Sequence, residues 1–181
     1  MIIEFFGLSG AGKTTIAKEL SLNTGWEHIS VNSRKEKFKY DIIFLFRSPV
    51  RFLLLFISTV LEGSFSFKLL RHKLHLLSEY IARSEKARII GKKRNVILDE
   101  GFAQYGLSLY EKNISESDAK KYINKFVFAK NRIQIVVTCD DSERIKRMEE
   151  RKRFPRAFLN LDRDSWQKII SNNARIFTHI F

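Results

Sequence analysis

Residues 2–17 read IIEFFGLSGAGKTTIA. A short apolar run with strand character enters a turn that carries glycines at positions 7, 10 and 12. Ile16, Ala17 and Leu20 then recur at helical spacing. Between strand and helix the spacing Gly7, Gly12, Lys13, Thr14 completes G-x-x-x-x-G-K-[ST], the phosphate-binding P-loop. The strand–loop–helix order distinguishes it from a glycine-rich turn that matches by chance.

Elementary chemistry accounts for the residue types. A polyphosphate must be wrapped by inward-pointing backbone N–H groups, so Gly10 and Gly12 stand where a Cβ would obstruct the approach. The loop feeds a helix N-terminus, whose free N–H groups and dipole favour anions. Lys13 can bridge β- and γ-phosphates, and the Thr14 hydroxyl can sit on Mg²⁺. The run Gly10, Ala11, Gly12, Lys13, Thr14 and Thr15 is therefore the candidate nucleotide contact, with ATP and Mg²⁺ as the expected ligands.

Composition bounds the rest. The 181 residues suit one domain, and 44% hydrophobic with 29% charged residues excludes a disordered chain. A single cysteine, Cys139, permits no intrachain disulfide and points to the cytoplasm. No signal peptide is expected, because the first strand begins at Ile2 and leads directly into the P-loop. Lys and Arg outnumber Asp and Glu by 33 to 20, a net charge of +13. An anionic substrate, nucleic acid or an anionic membrane surface all fit such a balance. Residues 42–61, IIFLFRSPVRFLLLFISTVL, are strongly apolar but interrupted by Arg47, Pro49 and Arg51. The uninterrupted part is too short to span a bilayer. It reads as a buried helix over 49–61 with Ser48 as N-cap and Pro49 first, and a peripheral membrane contact stays open.

Along the chain, TGWEHISV (24–31) reads as a second strand, and NSRKEKFKY as a polar basic stretch. Phe67, Leu70, Leu74, Leu77 and Ile81 mark a helix over 65–90. VILDEG (96–101) is a compact buried strand ending in two acids, and helices follow over about 102–111 and 115–130. RIQIVVTCDD is a fourth strand, 141–152 a helix, RKRFPRAFLN a basic loop, and a last helix starts near Asp162. Alternating strands and helices predict an α/β protein with a parallel sheet covered on both faces. Gly7–Thr14, Asp99–Glu100 and Asp140–Asp141 all follow strands, so they should line one crevice.

With these residues in place, the chain resembles P-loop small-molecule kinases of the adenylate, thymidylate and adenylylsulfate kinase group. GLSGAGKTTIA resembles the adenylylsulfate-kinase loop, VILDEG the strand whose acid holds Mg²⁺ through water, and ERIKRMEER the arginine helix before the lid. The resemblance implies a three-layer P-loop fold over 1–181, with a helical acceptor-binding insert at about 40–93 and a lid at about 151–161. It implies that Arg147 lies on the adenine and Arg151 on the phosphates. Thymidylate-type kinases usually place an arginine directly after the strand-ending acid, where this chain has Glu100. The group usually adds a fifth strand, so either the sheet has four strands or a fifth lies beyond Phe181.

Each candidate has a plainer alternative. Asp99 holds a metal-bound water, or caps a helix or pairs with Lys13. Glu100 takes a proton from an acceptor hydroxyl or hydrogen-bonds the acceptor, or is a surface acid. Arg147, Arg151, Arg153 and Arg156 neutralise a transferring phosphoryl group, or belong to a solvated basic helix. Arg51 and Arg83, both in the insert, are the candidate acceptor contacts. Lys13, Asp99, Glu100 and Arg151 are thus the expected catalytic set, with Thr14 and Asp99 at the metal. The function expected is transfer of the γ-phosphoryl of ATP to a small anionic acceptor such as a nucleotide, nucleoside or sugar. The alternatives are a polynucleotide 5′-kinase, using the +13 charge on nucleic acid, and a nucleotide-binding regulator without transfer.

Overall fold

The computed structural model describes residues 1–61, 67–109, 113–126, 132–150 and 163–180. Within them, strand β1 (Ile2–Phe6) leads through the glycine loop into helix α1 (Lys13–Thr24), and β2 (Glu27–His28) follows. Helices α2 (Arg34–Arg47), α3 (Pro49–Leu61) and α4 (Phe67–Ile90) form the insert. Then come β3 (Val96–Leu98), α5 (Phe102–Leu109), α6 (Glu116–Phe126), β4 (Arg132–Val136), α7 (Asp141–Glu150) and α8 (Arg163–Ile180).

The four strands are parallel and ordered β2-β3-β1-β4. Ile3 stands opposite Ile97 on one side and Ile133 on the other, so β1 is flanked by both neighbours over its first three residues. Strand alternation sends successive side chains to opposite faces. Phe5 packs with Ala11, Ala17, Ile97 and Val137 under α1. Phe6 enters the larger core, where Phe44, Leu55, Leu77, Tyr80, Tyr105 and Tyr122 come from the insert and from α5 and α6. This is the expected three-layer arrangement, and four is the number of strands among the described residues.

Three local expectations are corrected. The second strand shrinks to Glu27–His28, because only these residues pair with β3, opposite Val96 and Ile97. The basic stretch before the insert is helix α2. Its Ser33 Oγ accepts from Glu36 N while Glu36 Oε2 accepts from Asn32 N, a reciprocal cap that fixes the start. Ser48 stands at the junction as expected: it closes α2 by donating its N–H to Phe44 O, and its carbonyl accepts from Phe52 N at the start of α3. Helix α3 spans 49–61 as expected but is not buried: Leu55 and Thr59 face the core, while most of its apolar side chains are exposed. The lid over 151–161, with Arg151, Arg153 and Arg156, lies outside the described residues, as does the break at 62–64.

One polar pair crosses the interior. Glu4 of β1 is fully buried, and Arg132 Nη1 of β4 donates to its Oε2 at 2.8 Å. A Cβ on Gly101 would come within 2.5 Å of the Glu4 carboxyl carbon, so the chain leaving β3 passes directly over this carboxylate. Removing one member of a buried pair leaves the other charged group in a medium that solvates it poorly. Arg132→Met should cost about 3–5 kcal/mol in denaturant unfolding, and Glu4→Leu combined with it should recover most of that loss. Equal stability of the two variants would show that the pair is not coupled.

Candidate active site

The site forms where β1 and β3 end side by side. Lys13 opens α1, is buried, and donates through Nζ to the carbonyls of Gly7 at 2.9 Å and Leu8 at 3.0 Å. Its ammonium therefore lies inside the loop it follows. Burial lowers its pKa below the usual lysine range, the charges of Glu100 and Asp99 pull it back up, and Arg144 lowers it further. A bound polyphosphate would supply the negative charge that burial withholds.

The loop closes on neighbouring elements by short contacts. Thr14 Oγ1 donates to Asp99 Oδ2 at 2.7 Å, and Gly7 N donates to Gln104 Oε1 of α5 at 3.3 Å. Gly12 has φ 95° and caps α1 without a side-chain acceptor, which leaves the helix N-terminus facing the loop. Gly10, at φ 88°, lies against α7: a Cβ there would sit 2.8 Å from the Arg144 carbonyl oxygen. Arg144 is itself buried and its Nε donates to Asp141 Oδ1 within the same helix, which fixes its side chain where α7 touches the loop. Arg147 comes next to the loop at Gly12, its Nη1 3.6 Å from where a Cβ would stand, and its Nε donates to Glu143.

Asp99 is the meeting point. Besides Thr14, His28 Nε2 lies 3.5 Å and Arg83 Nη1 3.7 Å from its Oδ1. Arg83 Nη1 also donates to Glu100 Oε2 at 2.8 Å, and Arg83 Nε lies 3.7 Å from Glu79 Oε2. Behind Glu100 a cavity of about 90 Å³ is lined by Leu76, Glu79, Tyr80, Arg83, Gln104 and Tyr105 among others. Tyr80 and Tyr105 stack there with centroids 5.2 Å apart and planes 15° apart. Burial raises the Tyr80 phenol pKa, so this wall is neutral.

A Thr hydroxyl and a carboxylate at hydrogen-bond distance offer hard oxygen donors, the type that suits Mg²⁺. The described residues contain no cluster of three His, Cys, Asp or Glu placed to hold a metal. Such a pair matches an ion that relies on nucleotide phosphates and water for its remaining ligands.

The structure thus brings together Gly10, Ala11, Gly12, Lys13, Thr14, Thr15, Asp99, Glu100, Arg83 and Arg147. Arg51 lies exposed on α3 and does not line the cavity. Arg151 falls outside the described residues. Sequence reading missed Gln104, His28 and Arg144. Arg144 alone had a signal, since it precedes Arg147 by three residues on the same helix face.

A P-loop between the ends of two parallel strands, with an acid one residue past β3, defines a nucleotide-binding protein of the P-loop small-molecule kinase fold. The chain belongs to the AAA domain family AAA_18, whose model matches residues 3–162. No curated protein matches it. Among solved structures it is similar to deoxyadenosine kinase from M. mycoides with the products dCMP and a flexible dCDP bound. That match has 19% identity and a TM-score of 0.52 over 99% of this chain and 84% of that one. The same enzyme with bound dATP matches at 20% identity and TM-score 0.49, covering 99% and 85%. With bound dCTP the figures are 17% and 0.46, covering 99% and 84%. At such identities the likeness is one of fold.

Gly10 and Gly25 allow the close approach to be tested. Both have positive φ, but a Cβ on Gly25 meets nothing within 4 Å. Gly25→Ala should cost about 1 kcal/mol of backbone strain. Gly10→Ala should cost roughly 1–3 kcal/mol more, because the Arg144 backbone must move. Equal losses in denaturant unfolding would refute the contact between loop and α7.

Proposed function

We propose that the chain is an ATP-dependent phosphotransferase acting on a hydroxyl of a small acceptor of the nucleoside class. The Arg83–Glu100 pair carries this reading: it stands on the wall of the cavity whose other side, at Gln104, bonds the first residue of the P-loop. Tyr80 and Tyr105 stack on each other and line the same cavity. Glu79 and Glu100 against Arg83 leave that wall without the cation surplus an anionic acceptor calls for, which favours a neutral polyhydroxyl compound over a nucleotide. The M. mycoides deoxyadenosine kinase has the same fold and agrees with this class.

In this reading the loop amides and Lys13 hold the ATP phosphates, and Arg147 lies towards the adenine. When bound, Mg²⁺ supplies positive charge to the phosphate oxygens, from a place beside Thr14 and Asp99. The acceptor hydroxyl oxygen attacks Pγ, the bond from Pγ to the bridging oxygen breaks, and ADP leaves. The hydroxyl proton passes to the Glu100 carboxylate, which the hydrogen bond from Arg83 orients. Catalysis is then positioning and charge neutralisation, with no covalent enzyme intermediate.

ADP release should be measured with ATP and Mg²⁺ against separate pools of nucleosides, nucleoside monophosphates, sugars and 5′-hydroxyl oligonucleotides. Release is expected with nucleosides. Lys13→Ala should abolish it, and Asp99→Asn should lower kcat by about 10²–10³ with ATP still bound. Glu100→Gln should lower kcat by about 10²–10⁴ without changing ATP affinity. Turnover with oligonucleotides alone would replace this reading with a polynucleotide kinase, and ATP binding without any transfer with a nucleotide-binding regulator.

A further inference from the structure

Gln104 belongs to two places at once. It lines the cavity beside Arg83, Glu100 and Tyr105, and its Oε1 accepts from the backbone N–H of Gly7, 97 residues away in sequence. Its own backbone is fixed on α5, where Ser108 Oγ donates to the Gln104 carbonyl at 3.0 Å. Gly7 has no side chain and is hemmed in from the opposite direction. Its φ is 149°, and a Cβ there would lie 2.2 Å from the Val137 carbonyl oxygen beyond β4. The Gly7 carbonyl accepts from Lys13 Nζ at 2.9 Å. One line of bonds therefore runs from the cavity through Gln104 and Gly7 to the P-loop ammonium.

The chemistry of the carboxamide sets what Gln104 can do. It carries one acceptor oxygen and two N–H donors. The oxygen engages Gly7, which fixes the direction of the amide, and Nε2 makes no hydrogen bond to the described residues. Two donors are thus left for a ligand in the cavity, and a nucleoside offers ring nitrogens, carbonyls and sugar oxygens to accept them. The bond to Gly7 is 3.3 Å long, beyond the usual length of about 2.9–3.0 Å for N–H···O. It has room to shorten once the amide is also held from the cavity.

We propose that Gln104 is a positioning residue that couples the two substrates: an acceptor in the cavity takes an N–H from its carboxamide, and the held amide fixes Gly7 and the loop for the ATP phosphates. The inference rests on the phosphotransferase reading and adds to it that acceptor and nucleotide bind synergistically. A loop already ordered by the first ligand binds the second more tightly. Linkage makes the effect reciprocal, so nucleotide must tighten acceptor binding by the same factor.

Calorimetry on the full chain should measure the affinity for the β,γ-imido analogue of ATP with Mg²⁺, alone and with saturating adenosine, guanosine, cytidine or thymidine. With the nucleoside that supports ADP release, wild-type affinity is expected to rise about five- to twentyfold. Gln104→Met removes both bonds and should bring that ratio to about one, with KM for both substrates raised and kcat changed less. Gln104→Glu keeps an oxygen for Gly7 N but has no N–H, so it should lose the ratio as well. Its added charge shifts both measured affinities, and the ratio is the quantity read. If Gln104→Met does not fold, Gln104→Glu alone decides. A ratio retained in Gln104→Glu would mean that Gln104 only braces the loop, and would overturn the inference. So would a ratio unchanged in Gln104→Met, or nucleoside turnover by the wild type without synergy. Binding of the analogue with no nucleoside bound or turned over would instead remove the phosphotransferase reading, and this inference with it.

Discussion

The hydrogen bond from Thr14 to Asp99 is the hinge of the structure. At 2.7 Å it joins the first turn of α1 to the end of β3, two elements 85 residues apart in sequence. Parallel pairing of β1 with β3 brings the two strand ends level, and this contact, with the bond from Gly7 N to Gln104 and the packing of Gly10 against α7, fixes where the glycine loop lies across them. Lys13 then folds back onto the carbonyls of Gly7 and Leu8, and the helix N-terminus faces inwards. Hydroxyl, carboxylate and ammonium are held on separate elements, so their separation is set by strand register more than by side-chain freedom.

The sheet carries an electrostatic layer beneath that site. Glu4 and Arg132 form a buried pair on the Phe6 side of β1, and Gly101 lets the chain pass over them immediately after Glu100. A charged pair inside a parallel sheet adds little to stability over an apolar one. What it does here is constrain the exit from β3, since the Glu4 carboxyl fills the space a larger residue at position 101 would need. The conformation of Asp99 and Glu100 therefore depends on a residue in the neighbouring strand.

What could be read from sequence divides along physical lines. The P-loop, its flanking strand and helix, and the acid after β3 were legible because backbone closeness and strand periodicity restrict residue types locally. Helix α2 was legible in principle: Ser33 and Glu36 have capping-box spacing, which the run of lysines and Arg34 obscured. The burial of α3 was not legible. An apolar helix pattern gives total hydrophobicity, and whether that surface meets a core or stands outside depends on the bend at Ser48 and Pro49. Gln104, His28 and Arg51 show the same limit. The first two reach the site through chain reversals that no local spacing encodes, and Arg51 leaves it because α3 turns it outwards.

The position after the strand-ending acid illustrates how such a site can be rearranged. The resemblance to thymidylate-type kinases implies an arginine there, and this chain has Glu100. The guanidinium arrives instead from α4, where Arg83 lies 2.8 Å from Glu100 and 3.7 Å from Asp99. Moving the cation from the strand to a helix has a consequence. An arginine fixed to β3 would keep one relation to the loop, whereas Arg83 belongs to the insert and also contacts Glu79 within it. The charge balance at the strand end is thereby tied to the position of α4. Helices α2 and α3 pack against α4 and Tyr105 of the cavity wall bonds Thr59 of α3, so whatever engages the insert acts on the same helices that place Arg83.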